Sequence, residues 1–113
     1  MDGPALAREY YRAIDDGDYE ALREALAAEF VHRRPDMTLE GREEFVSFMR
    51  SDRPDTETEH SLDAVYVADG NRVAAEGRLL RTDGNVWFRF VDAFEIGERG
   101  IREVRTYTDS RGE

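Results

Sequence analysis

The sequence predicts an α+β fold, a cone-shaped arrangement in which three N-terminal helices pack on one face of a strongly curved, mostly antiparallel sheet and enclose a cavity. Three observations carry this expectation. Up to Arg50, apolar residues recur mostly at helical spacing, whereas from His60 onward they mostly alternate, as they do on half-buried strands. Turn residues separate the alternating runs at short intervals, so consecutive strands form a meander. The chain has 113 residues, enough for one domain (1–113) built around a single core. Helices gathered at one end of the chain and strands at the other is the order of an α+β layer fold.

The elements follow in order. Pro4, just after Asp2 and Gly3, suits the first turn of a helix. From Ala5 to Asp15, Leu6, Tyr10 and Ile14 fall four residues apart on one face, and Asp16-Gly17 ends the run. Asp18 caps a second helix with Ala21, Leu22, Ala25 and Leu26 on its apolar face. Phe30 to Arg34 reads as a short strand, with Phe30, His32 and Arg34 on one side, stopped by Pro35 and Asp36. Arg42 to Arg50 reads as a third helix whose apolar face is Phe45, Phe48 and Met49. Ser51 to Glu59, with Pro54, is a polar loop.

His60 to Ala68 and Val73 to Leu80 are paired strands about an Asp69-Gly70-Asn71 turn, and Asp83-Gly84-Asn85 is a second turn. The last hairpin is the most informative stretch. Phe88, Phe90, Asp92, Phe94 and Ile96 share one parity and so one face, Gly97 to Gly100 turns the chain, and Ile101 to Thr108 returns. Asp92 is out of place on that face. A carboxylate between two buried phenylalanines must be paired, hydrogen-bonded or protonated, and it is either a satisfied structural group or a functional one.

Composition narrows the function. There is no cysteine, which excludes disulfides and thiolate metal sites, and with only His32 and His60 present neither a metal nor another cofactor is expected. No apolar run approaches the ~18 residues of a membrane helix and no export signal core follows Asp2, so a soluble cytoplasmic protein is expected. Acidic residues number 26 against 16 basic ones, a net charge of −10, and every basic residue is arginine. Such a field repels nucleic acid and anionic membranes. It also fits a protein from a salt-loving organism, although a GC-rich genome would favour arginine codons as well.

The runs YYRAIDDGDYEALREALAAEFVHRRP, EGREEFVSFMR and VDAFEIGERGIREVRTYTD resemble the nuclear transport factor 2-like superfamily, and within it the SnoaL-like branch, which includes polyketide cyclases and relatives of ketosteroid isomerase. The resemblance covers nearly the whole chain and speaks to fold more than to reaction. It implies that Tyr10 and Asp92 match the oxyanion-hole tyrosine and aspartic acid of the isomerase. The isomerase's general base falls on Arg34, which cannot abstract a proton. Epoxide hydrolases of the superfamily are similar at Asp92 and Arg105, but their other arginine and second aspartate fall on Phe90 and Thr106.

The expected site is therefore a cavity in which Asp92, Tyr10 and His32 are the catalytic candidates. Arg34, Ile14, Phe45, Met49, His60, Phe88, Phe90, Val104 and Thr106 are the expected ligand contacts. If Arg34 reaches Asp92, the carboxylate is held charged; if Arg34 points to water, burial favours the neutral acid. The partner is a small, partly apolar organic molecule. Three roles fit: an acid/base isomerase, cyclase or hydrolase, a non-catalytic binder in which Arg34 holds an anionic group, or a dimer module with a vestigial cavity. A homodimer through the outer sheet face is expected, with Trp87, Arg89 and Val91 joined by Val65 and Val67.

Overall fold

The computed structural model describes residues 2–53, 55–69 and 71–109. Three helices, two before the first strand and one after the second, cover a six-stranded curved sheet that does not close. Helix α1 spans Gly3–Asp16. The Asp2 carboxylate accepts from the Ala5 amide at its start, and Gly17, at φ 68°, ends it in the left-handed conformation that glycine adopts without strain. Helix α2, Tyr19–Ala25, is capped by Asp18 through the Ala21 amide. Helix α3, Arg42–Ser47, runs into a π-helical turn over Phe48–Asp52. The third helix therefore keeps α geometry only to Ser47. The π turn, closed by the Arg53 amide on the Phe48 carbonyl at 3.0 Å, carries Met49 and brings Arg53 to the cavity.

The strands are β1 (Leu26–Arg33), β2 (Thr38–Glu40), β3 (Glu59–Asp69), β4 (Arg72–Leu80), β5 (Val86–Gly97) and β6 (Gly100–Thr108). They are ordered β2-β1-β6-β5-β4-β3. All neighbours are antiparallel except β1 and β6. That parallel pairing, Leu26 opposite Ile101 and His32 opposite Val104, explains why β1 starts well before the expected Phe30. Leu26, expected on a helix, is the first residue of a strand fixed by a partner far along the chain. Three-residue β2 is too short to show a period. The turn at Asp83-Gly84-Asn85 forms as expected, with Gly84 at φ 86° and the Asn85 amide on the Asp83 carboxylate. In the other turn Gly70, like Pro54 in the preceding loop, lies outside the described residues.

The inner face of the sheet meets the helices in a core whose fully buried members include Phe30, Phe45, Phe94, Leu22, Leu26, Ile101 and Val104. The pattern in β5 holds: Phe90, Asp92 and Phe94 are buried together, while Arg89 and Val91 are exposed. Bulges in β3, β4–β5 and β1 break the ladder and bend the sheet around the helices.

Two bulges also change which residues face outward. Leu79 pairs with Phe88 and Leu80 with Val86, so Trp87 is an extra residue, and it turns to line the cavity mouth instead of joining Arg89 and Val91. In β3 a bulge at Asp63 sets Val65 opposite the buried Ala75 and Val67 opposite the buried Val73, both on the inner face. Tyr66 takes the outer face with Val91 and Tyr107, and these three are 54%, 39% and 57% exposed. No helix among the described residues is long and apolar enough to cross a membrane.

Candidate functional site

Between the helices and the inner face lies a cavity of about 310 Å³. Its walls are apolar: Ile14 from α1, Met49 from the π turn, Leu79 from β4, and Trp87, Phe88 and Phe90 from β5. Polar side chains from several elements, among them His32, Arg34, Asp36, Asp55, His60 and Asp92, share the lining with them.

Asp92 is 5% exposed, and both its oxygens are engaged. The Tyr11 hydroxyl donates to Oδ2 at 2.5 Å and the Thr106 hydroxyl donates to Oδ1 at 2.5 Å. Thr106 lies directly opposite Asp92 in the β5–β6 ladder, so backbone register aligns the two side chains. Because the Thr106 hydrogen is committed to Asp92, the 2.8 Å contact from His32 Nε2 to Thr106 Oγ1 is donated by Nε2–H. That assignment leaves His32 Nδ1 unprotonated, and it is buried without a partner. A chain His32, Thr106, Asp92, Tyr11 thus runs from β1 across β6 and β5 to α1.

Protonation follows from burial. Desolvation raises the Asp92 pKa above the ordinary aspartate value, and the bonds from Thr106 and Tyr11 offset only part of it. Burial, with Arg34 adding repulsion, pushes the His32 imidazole down to about 3, so it is neutral and donates through a fixed tautomer. Tyr10 and Tyr11 are held neutral chiefly by burial, which raises both phenols.

Arg34 does not reach Asp92. It pairs with Asp36 at 2.9 Å and lies over the Phe48 ring at the cavity mouth. Of the two environments left open by the sequence, the structure has the one without an ion pair. Arg53 is also committed, its Nε donating to the Met49 carbonyl at 2.7 Å and its Nη2 to the Ile14 carbonyl and the Tyr19 hydroxyl.

Of the expected residues, Tyr10, Ile14, His32, Arg34, Met49, His60, Phe88, Phe90, Asp92 and Thr106 line the cavity together. Phe45 and Val104 do not: both are fully buried behind the wall, where Phe45 packs on Tyr10, Phe30 and His32. Tyr10 is not the hydroxyl on Asp92. Helix α1 buries a broad face, including Ala7, Tyr10, Tyr11 and Ile14, and it is Tyr11 that points at Asp92. The Tyr10 ring lines the cavity, and its hydroxyl makes no hydrogen bond to a described residue. His32 acts on Asp92 only through Thr106. Arg105, the position matched to the epoxide hydrolases, lies on the outer face, where it pairs with Glu95 and Glu103.

Sequence reasoning also missed residues. Tyr11 was readable in principle as part of a Tyr10-Tyr11 pair on a helix buried over a broad face. Asp15 looked like part of a polar helix end, yet its carboxylate holds His60, 45 positions away. Thr58 and Trp87 join the cavity through a loop and a bulge that carry no period. Among the described residues, no group of three or more His, Cys, Asp or Glu side chains is placed to hold a metal ion.

The sequence profile of the SnoaL-like domain matches residues 7–104. No curated protein matches the chain in sequence. Solved structures do match in fold. An NTF2-like protein of unknown function from Cytophaga hutchinsonii superposes with a TM-score of 0.81 at 18% identity, over 96% of this chain and 90% of that one. A candidate isomerase of the SnoaL-like family from Agrobacterium tumefaciens gives 0.80 at 23% identity, over 95% and 97%. A candidate SnoaL-like polyketide cyclase from Jannaschia gives 0.76 at 19% identity, over 94% and 84%.

Proposed function

Because the chain belongs to the SnoaL-like domain family, we propose that it is an acid/base enzyme acting on a small, partly apolar carbonyl compound, with Asp92 as its neutral acid. One observation carries the reading: a buried carboxyl group on the cavity wall that accepts from two hydroxyls, Tyr11 and Thr106, with no basic side chain among the described residues paired to it. A carboxyl group in that setting favours its protonated form, and with both neighbours donating to it, its own proton is free for a ligand oxygen.

The chemistry follows from what Asp92 meets. A substrate carbonyl placed against it receives a hydrogen bond that strengthens as negative charge develops on the oxygen. Tyr10, with its hydroxyl bonded to none of the described residues and its ring on the cavity wall, supplies a second donor. Phe88, Phe90, Ile14 and Met49 suit the hydrocarbon part of such a compound, and the volume limits it to a small one. Enolisation, as used by isomerases and cyclases, is the kind of reaction this arrangement assists. The reading as an anion binder through Arg34 is weaker, because Asp36 already occupies that guanidinium.

A panel of small ketones and enones, with products followed by NMR, tests the proposal. Turnover by the wild-type chain is expected, with kcat reduced in Asp92→Asn and abolished in Asp92→Leu. Binding of panel members without turnover of any would replace the enzyme with a binding protein.

A further inference from the structure

The second histidine of the cavity is held in a way the Asp92 chain does not require. His60 opens β3, and the Asp15 carboxylate at the end of α1 grips it twice. Oδ2 accepts from the His60 backbone amide at 2.9 Å, and Oδ1 lies 2.6 Å from the ring Nδ1. Both side chains are only 17% exposed. The ring is wedged between Tyr11 at 4.9 Å and Phe90 at 5.6 Å between centroids, so it has one orientation. A carboxylate at Nδ1 fixes that nitrogen as N–H and leaves the lone pair on Nε2. Nε2 bonds to no described residue and is not among the buried atoms left without a partner, while His60 itself lines the cavity. A carboxylate that orients a histidine whose other nitrogen faces open space is the arrangement by which imidazole acts as a base.

Of the other titratable groups on the wall, Asp36 is paired with Arg34, Asp55 accepts from the Glu57 amide through Oδ1 in the loop before β3, and those nearest Asp92 are engaged as well. Asp92 accepts from two hydroxyls, His32 Nε2 donates to Thr106 and its Nδ1 is buried, and Arg34 carries no lone pair. His60 and Asp92 stand on the inner face in β3 and β5, with β4 between them, and both touch Tyr11. A small molecule between them would meet an acceptor on one side and a donor on the other.

We propose that His60, oriented by Asp15, is the general base of this cavity and removes a proton from the carbon next to a carbonyl whose oxygen rests on Asp92. The proposal rests on the acid/base reading above and adds its missing half. The C–H bond breaks and an N–H bond forms at Nε2. The C–H electron pair becomes the carbon–carbon π bond of the enol, and the carbonyl π pair moves to oxygen, which takes the Asp92 proton. The Asp92 carboxylate is left with its two hydroxyl donors, and the imidazolium faces Asp15. Return of the proton to the same carbon gives exchange, and to a conjugated carbon gives isomerisation. No oxidant or other co-reactant is needed.

The probe is β-tetralone, a bicyclic ketone with an acidified α C–H, incubated with the full chain in D2O and followed by proton NMR. The wild-type chain should exchange the α protons above the buffer rate, and His60→Gln should lower that enzymatic rate at least about a hundredfold. Asp15→Asn, which keeps an acceptor for the His60 amide, should slow exchange while the fold and probe binding persist. Nitrogen NMR should show His60 as the Nδ1–H tautomer in the wild type and a relaxed mixture in Asp15→Asn. Exchange that survives His60→Gln but is lost in Asp92→Asn overturns the base and leaves the acid reading standing. Exchange lost in His60→Gln but untouched by Asp92→Asn or Asp92→Leu supports the base and overturns the acid. A wild-type chain that binds the probe and does not exchange it, or a His60 ring in the Nε2–H tautomer, overturns the proposal.

Discussion

Replacing His32 with glutamine gives a quantitative test of the buried hydrogen-bond chain. His32 is 5% exposed, donates through Nε2–H to Thr106, and has its pKa pushed from the model-peptide 6.5 down to about 3. A base whose folded pKa is depressed takes up its proton in the unfolded chain first. Between pH 6.5 and about 3 the unfolded state therefore binds the extra proton, and stability falls as pH falls through that window. From about pH 7 to about pH 4 this one ring accounts for roughly 3 kcal/mol of lost stability, at about 1.4 kcal/mol per pH unit below the unfolded pKa. Glutamine keeps an amide donor for Thr106 and has no proton to gain. Urea unfolding of both proteins across that range, compared as a difference, cancels the titration of carboxylates common to both. The wild type should lose about 3 kcal/mol more than His32→Gln on acidification. Parallel curves would mean that His32 is protonated in the fold, and the tautomer assigned to the chain would be wrong.

Other outcomes follow from the same geometry. Asp92→Asn keeps a neutral hydrogen-bonding group and should change stability at neutral pH by no more than about 1 kcal/mol, whereas Asp92→Leu strands the Tyr11 and Thr106 hydroxyls at about 1–3 kcal/mol each. Arg34→Ala removes a mouth pair with the half-exposed Asp36 and should cost under about 1 kcal/mol, with no coupling to Asp92→Asn in a double-mutant cycle by chemical denaturation. Molar KCl should raise the thermal midpoint by screening a net charge of −10; a flat or falling midpoint would favour codon usage as the source of the arginines. Two copies are expected to pair through the outer face carrying Tyr66, Val91 and Tyr107, giving twice the chain mass in sedimentation at micromolar concentration and a single-chain mass for Val91→Glu.

The layer order and the inner face of β5 were legible in the sequence because they rest on local periodicity: Phe90, Asp92 and Phe94 read the same way in both. What was illegible depends on contacts remote in sequence. Leu26 is a strand residue because Ile101 pairs with it, and Trp87 turns to the cavity because one residue too many faces Leu79 and Leu80. The site was half legible. A carboxylate of the wrong polarity on an apolar face marked Asp92, but nothing in the spacing of two adjacent tyrosines said which would reach it. Asp15 shows the limit most plainly, since its partner is 45 positions away and its own neighbourhood looks like an ordinary helix end. Phe45 and Val104 were misplaced for the opposite reason: apolar periodicity marks burial, and it does not separate a cavity wall from the layer behind it.

The proposed chemistry requires Asp92 to be a neutral acid in the folded chain. Carbon-detected NMR of the Asp92 carboxyl, assigned through Asp92→Asn and titrated from acid to neutral pH in the folded protein, measures it directly. The carboxyl should stay protonated as the exposed aspartates ionise and release its proton only above their range, because burial outweighs the donors Tyr11 and Thr106. Stability should correspondingly decline with rising pH across the interval between the unfolded and folded values, where the unfolded chain has already lost this proton and the folded chain has not. A midpoint at or below the ordinary aspartate range would make Asp92 a structural anion and remove the acid from the proposed site.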